Sequence, residues 1–188
     1  MANINDARVL IIATDGVEQA ELTTPRDKLR EAGAKVEVAA PKGDAIRGWR
    51  FTDWGETIPA DLKIADVNTD DYDALIIPGG VINPDKLRVD DEAMGVLRNF
   101  LDSGRLIAAI CHGPWLLAQA DACAGVRMTS YHSIRKDVEN AGADWVDEAV
   151  VMDGRLITSR NPNDLDAFSN KIIEELDARA SGRRAAAE

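Results

Sequence analysis

The sequence predicts a doubly wound α/β protein with a mainly parallel central sheet, helices on both faces and a C-terminal antiparallel hairpin. Three observations support this class. Short, continuous apolar runs recur along the chain, as expected of strands that are buried on both faces. Stretches with helical spacing separate the runs, and glycines follow those stretches. Alternation of this kind is typical of parallel strands joined by right-handed crossovers.

We predict four core strands and two crossover helices in the first part of the chain. The apolar runs lie at residues 8–13, 35–40, 73–78 and 105–110. The helical patterns lie at residues 18–32 and 90–102, and each ends within two residues of a glycine, Gly33 or Gly104. Glycine is the commonest residue just beyond a helix end, so both boundaries are plausible from the local sequence.

Two segments depart from this alternation. Residues 43–67 contain Trp49 and Phe51 among basic residues, and they fit either a short hairpin or an inserted lid. Residues 150–157 place Asp-Gly between two apolar runs, which is a typical two-residue hairpin turn, so we expect the final strands to be antiparallel. A closing helix is predicted at residues 163–176, and the small, polar residues 178–188 are expected to fray.

Composition restricts the class of partner. The 188 residues fit one domain, and the net charge of -11 disfavours binding to nucleic acid or to an anionic membrane. No apolar run approaches the roughly 20 residues that a membrane helix needs. With two cysteines and no signal-peptide pattern at the N-terminus, we expect a cytoplasmic protein. Small molecules and proteins remain as partners.

The candidate site lies where three loops follow strands. In an open α/β sheet, ligands bind beyond the carboxyl ends of the strands. Residues 15–21, 79–85 and 111–114 occupy that edge of the predicted sheet. We therefore expect the chemistry of the protein in these three loops.

Cys111 is the predicted reactive centre. It stands in Ala-Ile-Cys-His-Gly-Pro, between a strand and a helix, as the nucleophile does in a strained nucleophile elbow. The dipole of the following helix would favour the thiolate. The alternative is an ordinary buried thiol, which is how we interpret Cys123, because nothing around Cys123 suggests activation. Two cysteines and two histidines without a zinc spacing predict no metal site.

Glycines next to the predicted site suggest a role for backbone amides. Gly79 and Gly80 either form a simple turn or let backbone amides approach a substrate or oxyanion, because only glycine adopts such conformations freely. Gly113 belongs to the same predicted binding group beside Cys111.

Several motifs along the chain together resemble the PfpI branch of the ThiJ/PfpI superfamily. They are Asp-Gly-Val-Glu-Gln-Ala-Glu-Leu, Pro-Gly-Gly, Ala-Ile-Cys-His-Gly-Pro, Gly-Val-Arg-Met-Thr-Ser-Tyr and Asn-Ala-Gly-Ala-Asp-Trp-Val-Asp. The likeness covers roughly residues 7–176 and implies one domain with a flavodoxin-like fold, related to class I glutamine amidotransferases. The family is called intracellular protease I. Its members are described as peptidases, as glyoxalases or deglycases that act on carbonyl adducts, and as stress proteins with an easily oxidised cysteine.

The resemblance assigns roles to individual residues. Cys111 matches the family nucleophile, His112 its histidine, and Tyr131 a family tyrosine at the pocket edge. The resemblance also implies a homo-oligomer, in which a carboxylate from a neighbouring subunit completes the site. Asp85 occupies that place, although one more residue separates it from Gly80 than in relatives. The alternative for Asp85 is a helix residue that the helix dipole stabilises.

Glu18 and Glu21 are spaced so that both face one side of a helix near Cys111. The resemblance implies that Glu21 contacts the cysteine and that Glu18 lines the same pocket. A carboxyl beside a thiolate is expected to stay protonated, because two negative charges repel each other there. The alternative is a pair of surface glutamates without a chemical role, and His132 is likewise either a pocket residue or a solvated one.

Two functions remain open at this point. In the first, the protein is a cysteine hydrolase or deglycase without a cofactor: Cys111 attacks a carbonyl, His112 moves protons, and amides near Gly80 and His112 hold the oxyanion. In the second, it is a redox-sensing or protective protein whose Cys111 is reversibly oxidised to sulfenic acid without turnover. We favour the enzyme. Flavin binding is disfavoured, because the loop after the first strand is acidic and lacks a phosphate-binding pattern.

Overall fold

The computed structural model describes the backbone of residues 4–187 and the side chains of residues 4–182. The strands are, in chain order, β1 Arg8–Ile12, β2 Val17–Glu18, β3 Lys35–Ala40, β4 Ile46–Arg50, β5 Asp53–Ile58, β6 Leu62–Lys63, β7 Ala74–Ile77, β8 Leu106–Ile110, β9 Arg127–Met128, β10 Asp144–Trp145, β11 Val150–Asp153 and β12 Leu156–Ser159. The helices are α1 Gln19–Glu31, α2 Ile82–Leu87, α3 Asp91–Ser103, α4 Pro114–Gln119, α5 Arg135–Asn140 and α6 Leu165–Ala187.

The described residues form a seven-stranded sheet with the order β11-β12-β8-β7-β1-β3-β6. Every neighbouring pair in it is parallel except β11 with β12. The residues of β7 and β8 are all buried, because helices cover both faces of the sheet. The fold is therefore the predicted doubly wound, flavodoxin-like α/β architecture, and the four predicted core strands are confirmed.

Two apolar cores lie on opposite faces of this sheet. One contains residues of α1 and α6, among them Leu22 and Phe168, together with Cys111. The other contains residues of α3, α4 and α5, among them Leu97 and Leu117, together with Cys123. The alternation of residues along each strand distributes its side chains between the two cores.

The strand order reverses beside β1. The chain leaves β1 to form β3 on one side, and then returns to form β7 on the other side. The connections that follow β1 and β7 therefore diverge, and this leaves a crevice at the carboxyl edge of the sheet. β8 ends next to β7, so the residues after β8 reach the same crevice.

The segment at residues 43–67 contains a hairpin. β4 and β5 are antiparallel, and β2 pairs with β4 to give a small three-stranded sheet. This outcome selects the hairpin from the two predicted alternatives. Because β2 leads directly into α1, the small sheet holds the hairpin tip beside the carboxyl edge of the main sheet.

The C-terminal part confirms one prediction and corrects another. The predicted antiparallel hairpin is present as β11 and β12, and β12 joins the parallel part of the main sheet beside β8. The last helix does not end at residue 176, as the apolar pattern predicts, but continues as α6 to Ala187. Small and charged residues with good helix propensity extend it beyond its last buried position. Glu188, in the segment expected to fray, lies outside the described residues.

Candidate active site

Cys111 lies on a turn that backbone hydrogen bonds hold from two sides. Its N–H donates to the carbonyl of Ser159 at 3.0 Å, and its carbonyl accepts from the N–H of Tyr131 at 2.8 Å. The backbone of Cys111 is left-handed, with a φ of 63°. For a non-glycine residue this conformation costs of the order of 1 kcal/mol, and such strain is concentrated at functional sites. The predicted elbow is present between β8 and α4.

The two glycines after β7 bring the neighbouring loop against this turn. A Cβ atom on Gly79 would lie 2.6 Å from Oε2 of Glu21 and 2.7 Å from Cβ of Cys111, so a larger residue does not fit. Gly80 has a φ of 77°. The backbone amides of Gly80 and His112 favour the charged form of the Cys111 thiol and so lower its pKa, although burial outweighs them. The two glycines therefore bring backbone rather than side chains against the thiol.

Because residue 113 is a glycine, the backbone of the elbow packs directly against the end of β7. A Cβ atom there would lie 2.5 Å from the carbonyl oxygen of Ile77 and 2.9 Å from that of Ile110. Its contribution in the structure is this close packing, which sets the angle at which α4 leaves the sheet.

Glu21 is fully buried beside the thiol. Its Oε2 atom accepts a hydrogen bond from the N–H of Gly79 at 2.9 Å, and the carboxyl lies against the sulfur of Cys111. Burial, with the charge of Glu18 as a smaller cause, raises the pKa of Glu21 to about 8. The carboxyl therefore keeps its proton at neutral pH, and a protonated carboxyl can donate a hydrogen bond to sulfur.

Glu18 lies in the same wall and connects it to the hairpin tip. Its Oε2 atom accepts a hydrogen bond from the N–H of Phe51 at 3.3 Å. Its Oε1 atom is buried and has no hydrogen-bond partner among the described residues. Burial raises the pKa of this carboxyl as well. Both glutamates are thus buried at the site, and neither is a solvated surface residue.

His112 contacts the thiol through one nitrogen and a serine through the other. Nδ1 lies 3.2 Å from Sγ of Cys111, and Nε2 lies 3.2 Å from Oγ of Ser133. The ring stacks on Tyr131, with centroids 4.9 Å apart, and meets the edge of Trp115 at 5.1 Å. Burial lowers the pKa of His112 to about 4, so the imidazole is neutral at pH 7.

The protonation of Cys111 differs from the prediction. A helix dipole was expected to favour the thiolate, but burial, and then the charge of Glu21, raise the pKa of the thiol. α4 has only six residues, so its dipole is small. The amides of Gly80 and His112 act in the opposite direction without outweighing burial. The resting thiol is therefore protonated, and a proton on Glu21 removes the nearby repulsive charge.

A cleft with a volume of about 650 Å³ opens above Cys111. Its floor is formed by the thiol, His112 and the two glutamates. The residues that line it are Gly16, Glu18, Glu21, Trp49, Phe51, Gly80, Val81, Ile82, Cys111, His112, Tyr131, His132, Ser133, Asn161, Pro162 and Asn163. The predicted pocket residues Tyr131 and His132 are among them. The cleft has the volume expected of a site for a small molecule.

Asp85 is not brought to the cleft within one chain. It lies on α2, its side chain is 59% exposed, and Oδ1 lies 3.5 Å from Nη2 of Arg88. It is absent from the cleft lining in the part of the chain that the structure describes. Across residues 4–182, no group of three or more potential ligands could hold a metal ion.

Three contributions to the site were not predicted from the sequence. Ser133 contacts Nε2 of His112, Trp115 packs against the ring, and residues 161–163 form one wall of the cleft. Ser133 stands two residues after Tyr131, so the motif that marks Tyr131 also points to its loop. The sequence carries no comparable signal for residues 161–163, because only the position of β12 beside β8 brings them there.

Fold and site together define a flavodoxin-like α/β protein. It has a cysteine at a strand-to-helix elbow and a histidine within hydrogen-bond distance of the cysteine sulfur. Residues 7–175 match the model of the DJ-1/PfpI family. The chain belongs to this family, as the resemblance in its sequence implied.

Relatives along the whole domain agree with this assignment. A deglycase of Pyrococcus abyssi is 40% identical over 169 residues, which are 90% of this chain and 99% of that protein. General stress protein 18 of Bacillus subtilis is 41% identical over 172 residues, covering 90% and 98%. The crystal structure of Drosophila melanogaster DJ-1beta matches with a TM-score of 0.84 at 36% identity, covering 92% of this chain and 91% of that one.

Within the described residues 4–187, no helix has the length and apolar character needed to cross a membrane.

Proposed function

We propose that the protein is a stress-related, cysteine-dependent enzyme that acts on carbonyl compounds, either as a deglycase or as an amidase-like hydrolase. The contact of 3.2 Å between Sγ of Cys111 and Nδ1 of His112 carries this proposal. A neutral imidazole at hydrogen-bond distance can accept the thiol proton as the sulfur attacks. The similarity to proteins named deglycases favours carbonyl adducts over peptides as substrates.

The first chemical step follows from the geometry. The proton moves from Sγ of Cys111 to Nδ1 of His112 while a carbon–sulfur bond forms at the substrate carbonyl. The electron pair of the carbonyl bond moves to its oxygen, which becomes an oxyanion. The amides of Gly80 and His112 favour negative charge on the sulfur, so we expect them to stabilise this oxygen as well. His112 can then return its proton to the leaving group.

Turnover by Cys111 and His112 variants tests the enzyme. Wild type, Cys111→Ala and His112→Ala are assayed with methylglyoxal, glycated amines and fluorogenic peptides. We expect Cys111→Ala to lose at least a thousandfold in kcat/KM and His112→Ala roughly a hundredfold, because general-base assistance contributes about 10²–10⁴. Cys123→Ala is the matched control and keeps its activity. Wild-type turnover no higher than that of Cys111→Ala would exclude the enzyme.

A redox-sensing or protective role is the second candidate, and the protonated Glu21 carboxyl beside Cys111 favours it. Such a carboxyl can donate a hydrogen bond to a sulfenate oxygen and stabilise that oxidation state. Mass spectrometry after mild peroxide treatment would follow sulfenic acid at Cys111. We expect Glu21→Gln, which keeps a donor, to retain this product longer than Glu21→Ala does. Equal lifetimes in the two variants would count against the role.

We also propose that a second copy of the chain packs next to the cleft and brings Asp85 to it. Asp85 is exposed, and Val81 and Val89 on the same stretch are exposed apolar residues. Apolar groups of this kind are expected where copies associate. Oligomeric state and activity would be compared in wild type and Asp85→Ala. A stable, fully active monomer would contradict the proposal.

A further inference from the structure

His112 has a partner at each ring nitrogen, and neither partner is a carboxylate. Nδ1 lies 3.2 Å from the thiol of Cys111, and Nε2 lies 3.2 Å from the hydroxyl of Ser133. In many cysteine and serine enzymes a carboxylate orients the histidine and stabilises its charged form. Here a neutral hydroxyl stands in that position, so the charged histidine has less support.

The protonation of the thiol determines how these two contacts must be arranged. A buried thiol that keeps its proton needs an acceptor. The Glu21 carboxyl also contacts the sulfur, but it is protonated and acts there as a donor, so Nδ1 of His112 is the acceptor within reach. Nδ1 must then be unprotonated, so the single ring proton of the neutral imidazole lies on Nε2. That proton needs an acceptor in turn, and Oγ of Ser133 is in place for it.

Other groups around the ring do not provide this acceptor. Tyr131 stacks on one face of His112, and Trp115 presents its ring edge to the imidazole. The indole N–H of Trp115 donates to Asp137 at 2.8 Å, so Asp137 acts on His112 from a distance and across a ring. His132 also lies near the ring, and it contributes to lowering the pKa of His112 after burial.

We propose that Ser133 is a positioning residue within each chain: its hydroxyl accepts from Nε2 of His112 and keeps Nδ1 free to take the thiol proton. This inference rests on the proposed role of Cys111 as the nucleophile. It means that the resting pair is neutral, and that the sulfur loses its proton only as it attacks. The same hydroxyl can accept from Nε2 before and after the proton transfer, so no rearrangement accompanies the step.

Three variants at position 133 test the proposal. Ser133→Ala removes the acceptor, Ser133→Thr keeps a hydroxyl, and Ser133→Asp supplies a carboxylate from the same chain next to Nε2. Ser133 is exposed at the cleft rim, so none of these changes opens a core cavity. Ser103→Ala, at the exposed end of α3, is the matched control for loss of a serine hydroxyl.

The first measurement is the rate of iodoacetamide alkylation of Cys111 against pH, which requires no substrate. We expect Ser133→Asp to shift the profile to lower pH by about one unit, because a carboxylate stabilises the imidazolium and so the thiolate. Ser133→Ala should slow alkylation at neutral pH about fivefold to tenfold, the effect of losing one hydrogen bond. Ser133→Thr should restore the wild-type profile.

The second measurement is the ¹⁵N NMR spectrum of His112, which reports where the ring proton lies. We expect a protonated Nε2 and an unprotonated Nδ1 in wild type and in Ser133→Thr, and a mixture of tautomers in Ser133→Ala. In turnover assays Ser133→Ala should lower kcat about tenfold and leave KM unchanged, because the residue acts through His112.

Two results would overturn the proposal. One is a Ser133→Ala protein whose alkylation profile and His112 spectrum match those of wild type. The other is an Asp85→Ala protein that shows the changes expected of Ser133→Ala, because a carboxylate from a second copy would then be the acceptor. Failure of the enzyme proposal would give a different result, namely equal turnover in wild type and Cys111→Ala. The alkylation and NMR measurements need no substrate, so they would still test the role of Ser133.

Discussion

Cys111 and Cys123 are both buried thiols, yet their surroundings differ in kind. Cys123 is fully buried in the core that contains α3, α4 and α5, and burial alone raises its pKa to about 11. Cys111 is 6% exposed at the floor of a cleft, with His112, Glu21 and two backbone amides around its sulfur. At both positions burial keeps the thiol protonated. What makes Cys111 a candidate nucleophile is a base within hydrogen-bond distance and an opening above it.

The largest expected effect is a difference in chemical modification of the two thiols. In the native protein we expect iodoacetamide to label Cys111 at least a hundredfold faster than Cys123, because Cys123 reacts only after local unfolding. Mass spectrometry of both cysteine peptides over time measures the ratio. In denaturant the two rates should become similar, which is the control. Comparable labelling in the native state would remove the distinction between the two cysteines.

The close approach of Gly79 to the thiol gives the next effect. Gly79→Ala places a Cβ atom against Glu21 and Cys111, so we expect a loss of roughly 2–3 kcal/mol in the free energy of unfolding, together with most activity. Gly95→Ala is the matched control, because it lies in α3 with nothing within 4 Å of the added atom. Alanine is the better helix former, so this variant should gain about 0.5–1 kcal/mol.

Urea denaturation of both variants measures these changes. A Gly79→Ala protein as stable and active as wild type would show that the loop after β7 does not need its tight approach.

The proton on Glu21 should appear in the pH dependence of stability. Its pKa is raised from 4.5 to about 8 in the folded state. Above about pH 4.5 the unfolded chain releases this proton while the folded chain keeps it. Stability from this group is therefore present at low pH and is lost as the pH rises towards 8, by at most about 1.4 kcal/mol per unit.

Glu21→Gln removes that dependence. Relative to wild type, the variant should become more stable as the pH is raised from 5 to 7.5, as measured by urea unfolding at several pH values. Glu31→Gln, an exposed glutamate of α1, should stay parallel to wild type throughout. A constant difference between Glu21→Gln and wild type would mean that Glu21 is ionised in the native protein.

The smallest effect concerns the backbone at the two cysteines. The φ of 63° at Cys111 favours glycine, whereas Cys123 is absent from the positive-φ residues that the described chain contains. We expect Cys111→Gly to be about 1 kcal/mol more stable than Cys111→Ala, and Cys123→Gly to be less stable than Cys123→Ala by a similar amount. Thermal or urea unfolding of the four variants gives both differences. If the alanine variant were the more stable one at both positions, the turn at residue 111 would have relaxed when the cysteine was removed.

Much of the fold could be predicted because its strands carry strong local signals. β3 was predicted with the bounds it has, and the others within one or two residues, because continuous apolar runs are unusual outside buried strands. β2 and β6 have two residues each, and they exist because of their neighbours rather than because of a pattern of their own. The extension of α6 was missed for another reason: it lies beyond the last buried residue and so carries no apolar pattern.

The site was predictable where the chain itself places residues after a strand. The structure brings together Cys111, Gly79 and Glu21. Cys111 and Gly79 follow the neighbouring strands β8 and β7, and Glu21 lies in α1, which begins at the same edge of the sheet. Ser133 was missed because the motif around Tyr131 indicates the loop but not the contact that the serine side chain makes with His112. The protonated state of Cys111 was missed for a related reason, since burial is a property of the assembled fold. The role of Asp85 remains a prediction.

The cysteine turn and the walls of the cleft depend on different parts of the fold. The turn is held by hydrogen bonds to the end of β12 and to Tyr131, and it packs against β7. The walls come from the β4–β5 hairpin and residues 161–163, which lie outside the strand pairing of the main sheet. We expect mutations in these walls to leave the cysteine turn in place. Under the proposed function, substrate range is then free to diverge during evolution, or in a directed library, while the reactive group stays constant.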